Sequence, residues 1–331
     1  MVNIGKEVAI VILAATVDRS LGDPRILPHP VQIMGWIIAN YTRMVIVSSW
    51  GKIIKRTAGV CLAIGSIATS GIIAYLIIAR ANQINFFLGA SVEIIILASC
   101  FAGRSLHLAA KEVLQPLSSG DLEAARAKLD SYVGRDTQNL SRVEILRAVL
   151  ETVAENTTDG VTAPLFYAIL GAIIPGVGSA PLAIAYKAAS TLDSMVGYKK
   201  EPYIDLGWFS ARLEDGLTWL PCRLTVLTIA LLSGKPKQVW HLCRRDGIKD
   251  PSPNSGWSEC AYAAALGVQL GGTNYYDGVV KEKPLLGDRD LEITIATVES
   301  ALGLMRNCFL LWLAIGSLIL VGQSTIFRMN F

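Results

Sequence analysis

Residues 160–186 run for 27 positions without a charge, and Pro175-Gly-Val-Gly178 interrupts them. Such a run belongs in lipid. A helix that crosses about 30 Å of hydrocarbon at 1.5 Å per residue needs about 20 mostly apolar residues. The interruption constrains the fold as much as the length does. Pro and Gly break helices, and backbone freed at membrane depth is tolerated only where protein or a water-filled cavity covers it. The run is therefore expected as a broken span, which either crosses once or re-enters as two half-helices. Directly before it stands Glu155-Asn-Thr-Thr-Asp159, which places two carboxylates, an amide and two hydroxyls at the edge of the hydrocarbon.

Further segments carry the same signal. Residues 58–79 are uncharged for 22 positions between Arg56 and Arg80, and residues 307–327 for 21. Phe86–Ala102 is a fourth candidate with Glu93 inside it. Leu213–Ser233 is a weaker fifth, containing Asp215 and Arg223. Val8–Val17 is short; Asp18-Arg19 follows it where a leader cleavage site would need small residues, so it is read as retained. With 52% apolar and 17% charged residues and a mean hydropathy of +0.45, the chain is expected to be an all-α, polytopic membrane helical bundle with amphipathic cytoplasmic helices and at least one Gly/Pro-broken span. The whole chain, 1–331, is read as one integral membrane domain.

A net charge of +3, with no basic block interleaved with aromatics, excludes a nucleic-acid partner. Six cysteines without a C-x-x-C and three scattered histidines give no disulfide framework and no zinc or His-rich metal site. No G-x-x-x-x-G-K-[ST] or G-x-G-x-x-G occurs, so any nucleotide must be held without a P-loop.

Two polar stretches interrupt the apolar ones. Residues 103–158 hold seven basic and eight acidic residues and read as a water-exposed helical hairpin insertion. One helix is expected over Asp121–Val133, ending at Gly134, and a second over Ser141–Ala154, opened by the capping box Ser141-Arg-Val-Glu144. Arg135-Asp136 and Glu155-Asn156 are then expected at opposite ends of one hairpin arm. Residues 234–306, with nine basic residues and four prolines, read as a second water-exposed polar segment. By the Lys and Arg they carry, the loops 51–57 and 103–158 are expected in the cytoplasm.

Three constellations carry possible chemistry, each beside a plainer reading. Glu155, Asn156, Thr157, Thr158 and Asp159 suit Mg²⁺, which takes oxygen ligands and keeps waters and substrate phosphates; they also suit a capping turn. Lys187, Ser190, Thr191 and Asp193 share one face of a helix, followed by Lys199 and Lys200, which suits an anionic substrate or an interfacial helix with snorkelling lysines. Arg244-Arg245-Asp246 precedes Pro251-Ser-Pro-Asn-Ser-Gly-Trp257, where Ser252, Asn254 and Ser255 stand at the start of a helix, a place for a phosphate or an ordinary cap. Gly22-Asp-Pro24 and Leu27-Pro-His-Pro30 make a rigid connection.

Taken in order, DRSLGDPRILPHPVQIMGW (18–36), VGRDTQNLS (133–141), AENTTDGVTAPLFYAILGA (154–172), STLDSMVGYK (190–199), SARLEDGLTWLPCRLT (210–225) and PSPNSGWSECAYAAALGVQLGG (251–272) resemble the membrane-bound cobinamide-phosphate synthase family of cobalamin biosynthesis. The pattern departs from that family at Ser190, Thr218 and Asp250. The resemblance implies ATP-dependent amide formation that joins (adenosyl)cobyric acid to aminopropanol or its O-phosphate, giving (adenosyl)cobinamide (phosphate). A carboxylate accepts an amine only after one oxygen becomes a leaving group, and such ligases commonly pass through an acyl phosphate.

Under that resemblance Glu155, Asp159 and Asp193 converge to hold Mg²⁺ with ATP as co-substrate. Lys187, Lys199, Arg212 and Arg244 neutralise phosphates, Lys187 among the catalytic groups, and Ser252, Asn254 and Ser255 cradle one phosphate. The implied location is the plasma membrane, multi-pass, with the site facing the cytoplasm and the corrinoid lying against lipid. A transporter with a discontinuous-helix site is the rival reading. A third is a non-catalytic scaffold for other late cobalamin-pathway membrane proteins.

Overall fold

The computed structural model describes residues 4–22, 29–48 and 50–329, with side chains from residue 5 through residue 323. Asp23, Pro24, Leu27 and Pro28 of the proline-punctuated connection lie outside the described residues. In chain order the helices are α1 (Ile4–Leu21), α2 (Pro30–Val47), α3 (Lys52–Ile84), α4 (Phe86–Ala98), α5 (Gly103–Ser118), α6 (Leu122–Asp130) and α7 (Arg142–Asn156). A π-helical turn, Thr157–Thr162, leads into α8 (Ala163–Ile173), α9 (Ser179–Val196), α10 (Trp208–Leu232), α11 (Pro236–Arg245) and α12 (Ser255–Leu266). Strands β1 (Leu270–Tyr276) and β2 (Val279–Leu286) follow, then α13 (Ile295–Met329). The fold is all-α apart from this hairpin. Lys52–Ile84, Phe86–Ser118, Trp208–Leu232 and Ile295–Gln323 are each long and apolar enough to cross a membrane.

The chain falls into two compact units: Met1–Ala102 with Ala163–Thr218 and Leu311–Phe331, and Gly103–Thr162 with Trp219–Leu310. Both polar stretches of the sequence, 103–158 and 234–306, belong to the second unit.

In the first unit the broken run folds as a helical hairpin. Gly176 and Gly178, at φ +81° and +88°, supply the left-handed backbone that reverses the chain after Pro175. Tyr167 stacks on Tyr186 at 4.8 Å, and a Cβ on Gly171 would come within 2.3 Å of the Gly178 carbonyl oxygen and 3.0 Å of Leu182, so α8 and α9 run antiparallel and tightly packed. At 11 residues α8 rises only about 16 Å, about half a bilayer's hydrocarbon. Of the two readings left open by the sequence, the reversal is the one present.

The hairpin also explains Glu93. This carboxylate, 2% exposed, accepts the Ala180 amide at the start of α9 and pairs with Lys6 at 3.3 Å. Glu7 accepts the Ser179 hydroxyl at 2.5 Å. Carboxylates at a helix N-terminus meet its free amides and the positive end of its dipole. The outward faces of α3 are greasy, with Ile72, Ile73, Leu76 and Ile77 each about half exposed.

The second unit has a core of its own. Leu129, Ile145, Val149, Leu150 and Val153 from α6 and α7 pack with Cys260, Tyr262 and Ala264 of α12, and with Val226, Ile229 and Val298. The expected capping box opens α7: the Ser141 amide donates to Glu144 at 2.7 Å and the Glu144 amide to the Ser141 hydroxyl. The helix expected over Asp121–Val133 is shorter. Asp121 caps it and it stops at Asp130, with a turn from Ser131 onward. The loop after it runs back along α7, so Arg135 lies beside Glu151, one turn from Glu155. It does not stand at the far end of an arm as the sequence suggested.

The β-hairpin is the element the sequence reading missed. Asp277-Gly278, at φ +53° and +75°, forms the two-residue turn, with Tyr276 opposite Val279. The preceding loop holds that turn: Asp136 accepts the amides of Asp277 at 3.1 Å and Gly278 at 2.8 Å.

Candidate functional site

The motif at the edge of the apolar run becomes the π-helical turn of the second unit. The Thr162 hydroxyl donates back to the Thr157 carbonyl at 3.1 Å, five residues earlier. Thr157 donates to the Val153 carbonyl at 2.7 Å, so the buried Tyr262 hydroxyl, 2.8 Å away, donates to Thr157. Ser258 donates to the Ala154 carbonyl at 2.5 Å and therefore accepts from Thr158 at 3.0 Å. A π turn widens the helix and is frequently kept at functional sites. Here three threonine hydroxyls spent on internal bonds hold it open, and Asp159 remains half-buried.

The Pro251-Ser-Pro-Asn loop meets this turn. Ser255 donates to Glu155 Oε1 at 2.9 Å. Ser252 Oγ accepts the amides of Asn254 at 3.4 Å and Ser255 at 3.2 Å, and Asp250 Oδ1 accepts the Ser252 amide at 2.9 Å. Side chains of the loop thus already cap the first amides of α12. Arg244 is exposed; its neighbour Arg245 is tied to Asp246 at 2.6 Å and Asp288 at 2.7 Å.

Behind Glu155 lies a buried charge network. Arg135 donates to Glu151 at 2.5 Å and to Asn274 at 2.9 Å; Glu151 accepts the Gly271 amide at 3.0 Å. Arg147 adds bonds to the carbonyls of Gly271 and Thr273. On the α12 side, Lys283 of β2 donates to Glu259 Oε1 at 3.0 Å, and Glu259 is fully buried. Burial pushes the Glu259 carboxyl up to about 8, with Glu151 and Glu155 adding to the rise and Lys283 opposing it. Burial lowers Lys283, yet the carboxylates around it, Glu259 foremost, outweigh that and raise it, so it stays an ammonium. Two carboxylate oxygens, Glu259 Oε2 and Asp250 Oδ2, are buried without a hydrogen-bond partner.

The remaining sequence candidates lie in the first unit. Lys187 and Asp193, both half-buried, sit on α9, and a Cβ on Gly197 would come 2.0 Å from Asp193 Oδ1. Lys199 and Arg212 are exposed and are the cations that act on Asp215. Within each unit the candidates are grouped: Glu155, Asp159, Ser252, Asn254 and Ser255 around one turn and loop, Lys199 and Arg212 around Asp215.

The family model described as "CobD/Cbib protein" matches residues 11–305. The chain belongs to the CobD/CbiB family. It is 57% identical over 316 residues to a cobalamin biosynthesis protein CobD of Synechocystis sp., covering 95% of this chain and 92% of that one. It is 41% identical to a cobalamin biosynthesis protein CobD of Halalkalibacterium halodurans, covering 92% and 93%. A cobalamin biosynthesis protein CbiB of Salmonella typhimurium is 41% identical over 297 residues, covering 88% and 91%. No solved structure matches the chain.

Several residues that shape this CobD/CbiB site escaped sequence reasoning: Glu151, Arg135, Glu259, Lys283 and Arg223. Glu259 carried a signal, being the one carboxylate in Ser255–Leu266, a helix buried on nearly every side. Arg135 stood within VGRDTQNLS but was given no role, and Lys283 carried no signal that could be separated from ordinary surface charge.

Proposed function

We propose that this chain is an ATP-dependent acid–amine ligase of cobalamin biosynthesis, joining a carboxylate of (adenosyl)cobyric acid to aminopropanol or its O-phosphate at the cytoplasmic face of the plasma membrane. Its relatives are named for cobalamin biosynthesis. The observation that carries the reading is the bond between Glu155 and Ser255 at 2.9 Å, which joins two of the motifs that define the resemblance across 100 residues of chain. Amide synthesis needs polyanionic partners neutralised and held in register, and oxygen ligands beside cations meet that need.

The donor set suits Mg²⁺. Glu155 and Asp159 offer hard oxygens, and a nearby cation would give the two unpartnered buried carboxylate oxygens, of Asp250 and Glu259, a reason to be there. Among the described residues no three His, Cys, Asp or Glu side chains form a closed cage, so waters and phosphate oxygens would complete the shell. Bound Mg²⁺-ATP would supply the activation of the acid. Ser255 orients Glu155, and the π turn fixes Asp159 relative to it. Lys187, Lys199, Arg212 and Arg244 keep the phosphate-neutralising roles implied by the resemblance, Ser252 and Asn254 that of a cradle, and Asp193, on α9 of the first unit, that of a catalytic carboxylate.

Purified protein in detergent should consume ATP only when cobyric acid and the amino alcohol are both present. Glu155→Gln, Asp159→Asn and Asp193→Asn should each lower turnover at least a hundredfold with the helical circular-dichroism spectrum unchanged. Full activity in the Glu155 and Asp159 variants would remove the metal assignment.

A further inference from the structure

One cation of the second unit stands apart from every ion pair described above. Arg223 lies on the apolar helix Trp208–Leu232, yet no carboxylate is within ion-pair distance of it among the described residues. Its guanidinium sits 4.6 Å from the centre of the Trp257 ring and 5.2 Å from that of Trp219. Its one hydrogen bond to an oxygen acceptor among the described residues runs to Asn254 Oδ1, at 2.9 Å. Asn254, 4% exposed, belongs to the Pro251-Ser-Pro-Asn loop.

A guanidinium carries five donors in a flat fork, and most of these find no protein acceptor. A charge on a membrane-length helix is expensive unless something offsets it. Two indole faces and one amide oxygen offset part of that cost and lock the plane of the fork. They leave its net charge uncancelled. Ser252 stands two residues from Asn254, and because its oxygen accepts two amides its own proton is left to donate. Trp219 is 52% exposed, so one wall of the arrangement is open.

We propose that Arg223, fixed between Trp219 and Trp257 and braced by Asn254, binds the phosphate group of a soluble phosphate ester, with Ser252 as a second donor. The guanidinium fork matches two phosphate oxygens at once, which a lysine's point charge would not. Two esters could supply the group, the nucleotide or the O-phosphorylated amino alcohol. Only that choice rests on the ligase reading; the anion site itself does not.

The test uses the full chain in lipid-free detergent and follows tryptophan fluorescence during titration with inorganic phosphate, ATP and the O-phosphorylated amino alcohol, with chloride at equal ionic strength as control. A saturable change is expected with phosphate and absent with chloride. Arg223→Met should weaken it about ten- to a hundredfold, the span of one charge-assisted contact, and Arg223→Lys by less. Trp257→Phe should remove most of the signal.

In turnover assays, a raised KM for ATP alone assigns the nucleotide as the source. A raised KM for the phosphorylated amine, with that for aminopropanol unchanged, assigns the amine. Unaltered phosphate binding in a folded Arg223→Met protein overturns the proposal. So does a response seen only in nanodiscs containing phosphatidylglycerol, which would make Arg223 a lipid anchor. Arg223-dependent phosphate binding in a protein that never forms amide would leave this site standing while the ligase reading falls.

Discussion

The two units of this CobD/CbiB-family protein differ in what they expose and in the charge they hold inside. The first turns large apolar side chains outward and brings backbones together through small residues. A Cβ on Gly207 would lie 1.6 Å from the Val196 carbonyl oxygen, and one on Gly59 2.0 Å from that of Leu206. Both bury large side chains, Phe101 and Leu192 in the first, Tyr262 and Leu150 in the second; the second also holds an internal ion network of Arg135, Glu151, Glu259 and Lys283, where the first holds the pair Lys6–Glu93. In lipid there is no hydrophobic gain from hiding leucine, so close approach of backbones is what holds helices together. A unit with a buried apolar core can stabilise an internal Glu–Arg–Asn network, because Arg135 and Glu151 neutralise each other and a low-dielectric setting strengthens the pair, even with Asn274 Nδ2 left without a partner. The chemistry proposed for this protein draws on the second unit, whose interior raises the Glu259 carboxyl to about 8.

The largest effect that could break this contrast is loss of Glu151. Glu151→Ala leaves Arg135, only 8% exposed, without its counter-charge, and a buried pair broken on one side costs about 3–5 kcal/mol. The expected outcome is a lower unfolding midpoint and faster amide exchange over residues 270–286. Unchanged exchange there would mean that the ion network does not hold the hairpin.

The counterpart in the first unit is Gly207→Ala, expected to cost about 1–3 kcal/mol through overpacking. Gly216→Ala, whose new Cβ meets nothing within 4 Å, should be neutral or stabilising by up to about 1 kcal/mol. Equal thermal midpoints for the two variants would count against close backbone approach as the organising device.

The smallest effect sharpens the comparison at the water-facing end of α7. Ser141→Ala should cost about 1 kcal/mol. Hydrogen bonds from the Ser141 side chain and amide hold the Glu144 carboxyl below its usual range. A carboxyl with a depressed folded pKa stabilises above its unfolded value of about 4.3, and that contribution is lost as the pH falls through the folded value. The variant should therefore show a shallower acid limb, measured as unfolding midpoint against pH between about 5 and 2.

What could be read in advance follows the range of the forces involved. Spans over 58–79 and 307–327, the break at Pro175–Gly178 and the capping box depend on neighbours within a few residues, and all three are present. The hairpin was legible in principle, because Asp277-Gly278 between Tyr276 and Val279 is a strong turn signal, but the charges of 234–306, Lys281, Glu282 and Lys283 among them, marked only a water-exposed polar segment. Glu151, Glu259 and Arg223 acquire their meaning from partners 16 to 120 residues away, as in Arg135–Glu151 and Gly271–Glu151, so even where a local pattern picks one out it does not name the partner. The π turn lies in between: its threonines are visible in the sequence, but whether their hydroxyls cap or widen the helix is decided by Tyr262 and Ser258.

The reversal at Gly176–Gly178 bears on how the chain is made. Neither limb of that hairpin is a self-sufficient anchor, since α8 is too short to reach across hydrocarbon and relies on α9 to cover Gly171 and Ala172. A ribosome that has released only residues up to 175 has produced a greasy stub with nowhere stable to rest. The insertion machinery must keep it sheltered until about twenty more residues have emerged, so truncations or fusions placed inside the turn should be cleared by membrane proteases, whereas those placed after Gly197 let the pair settle together.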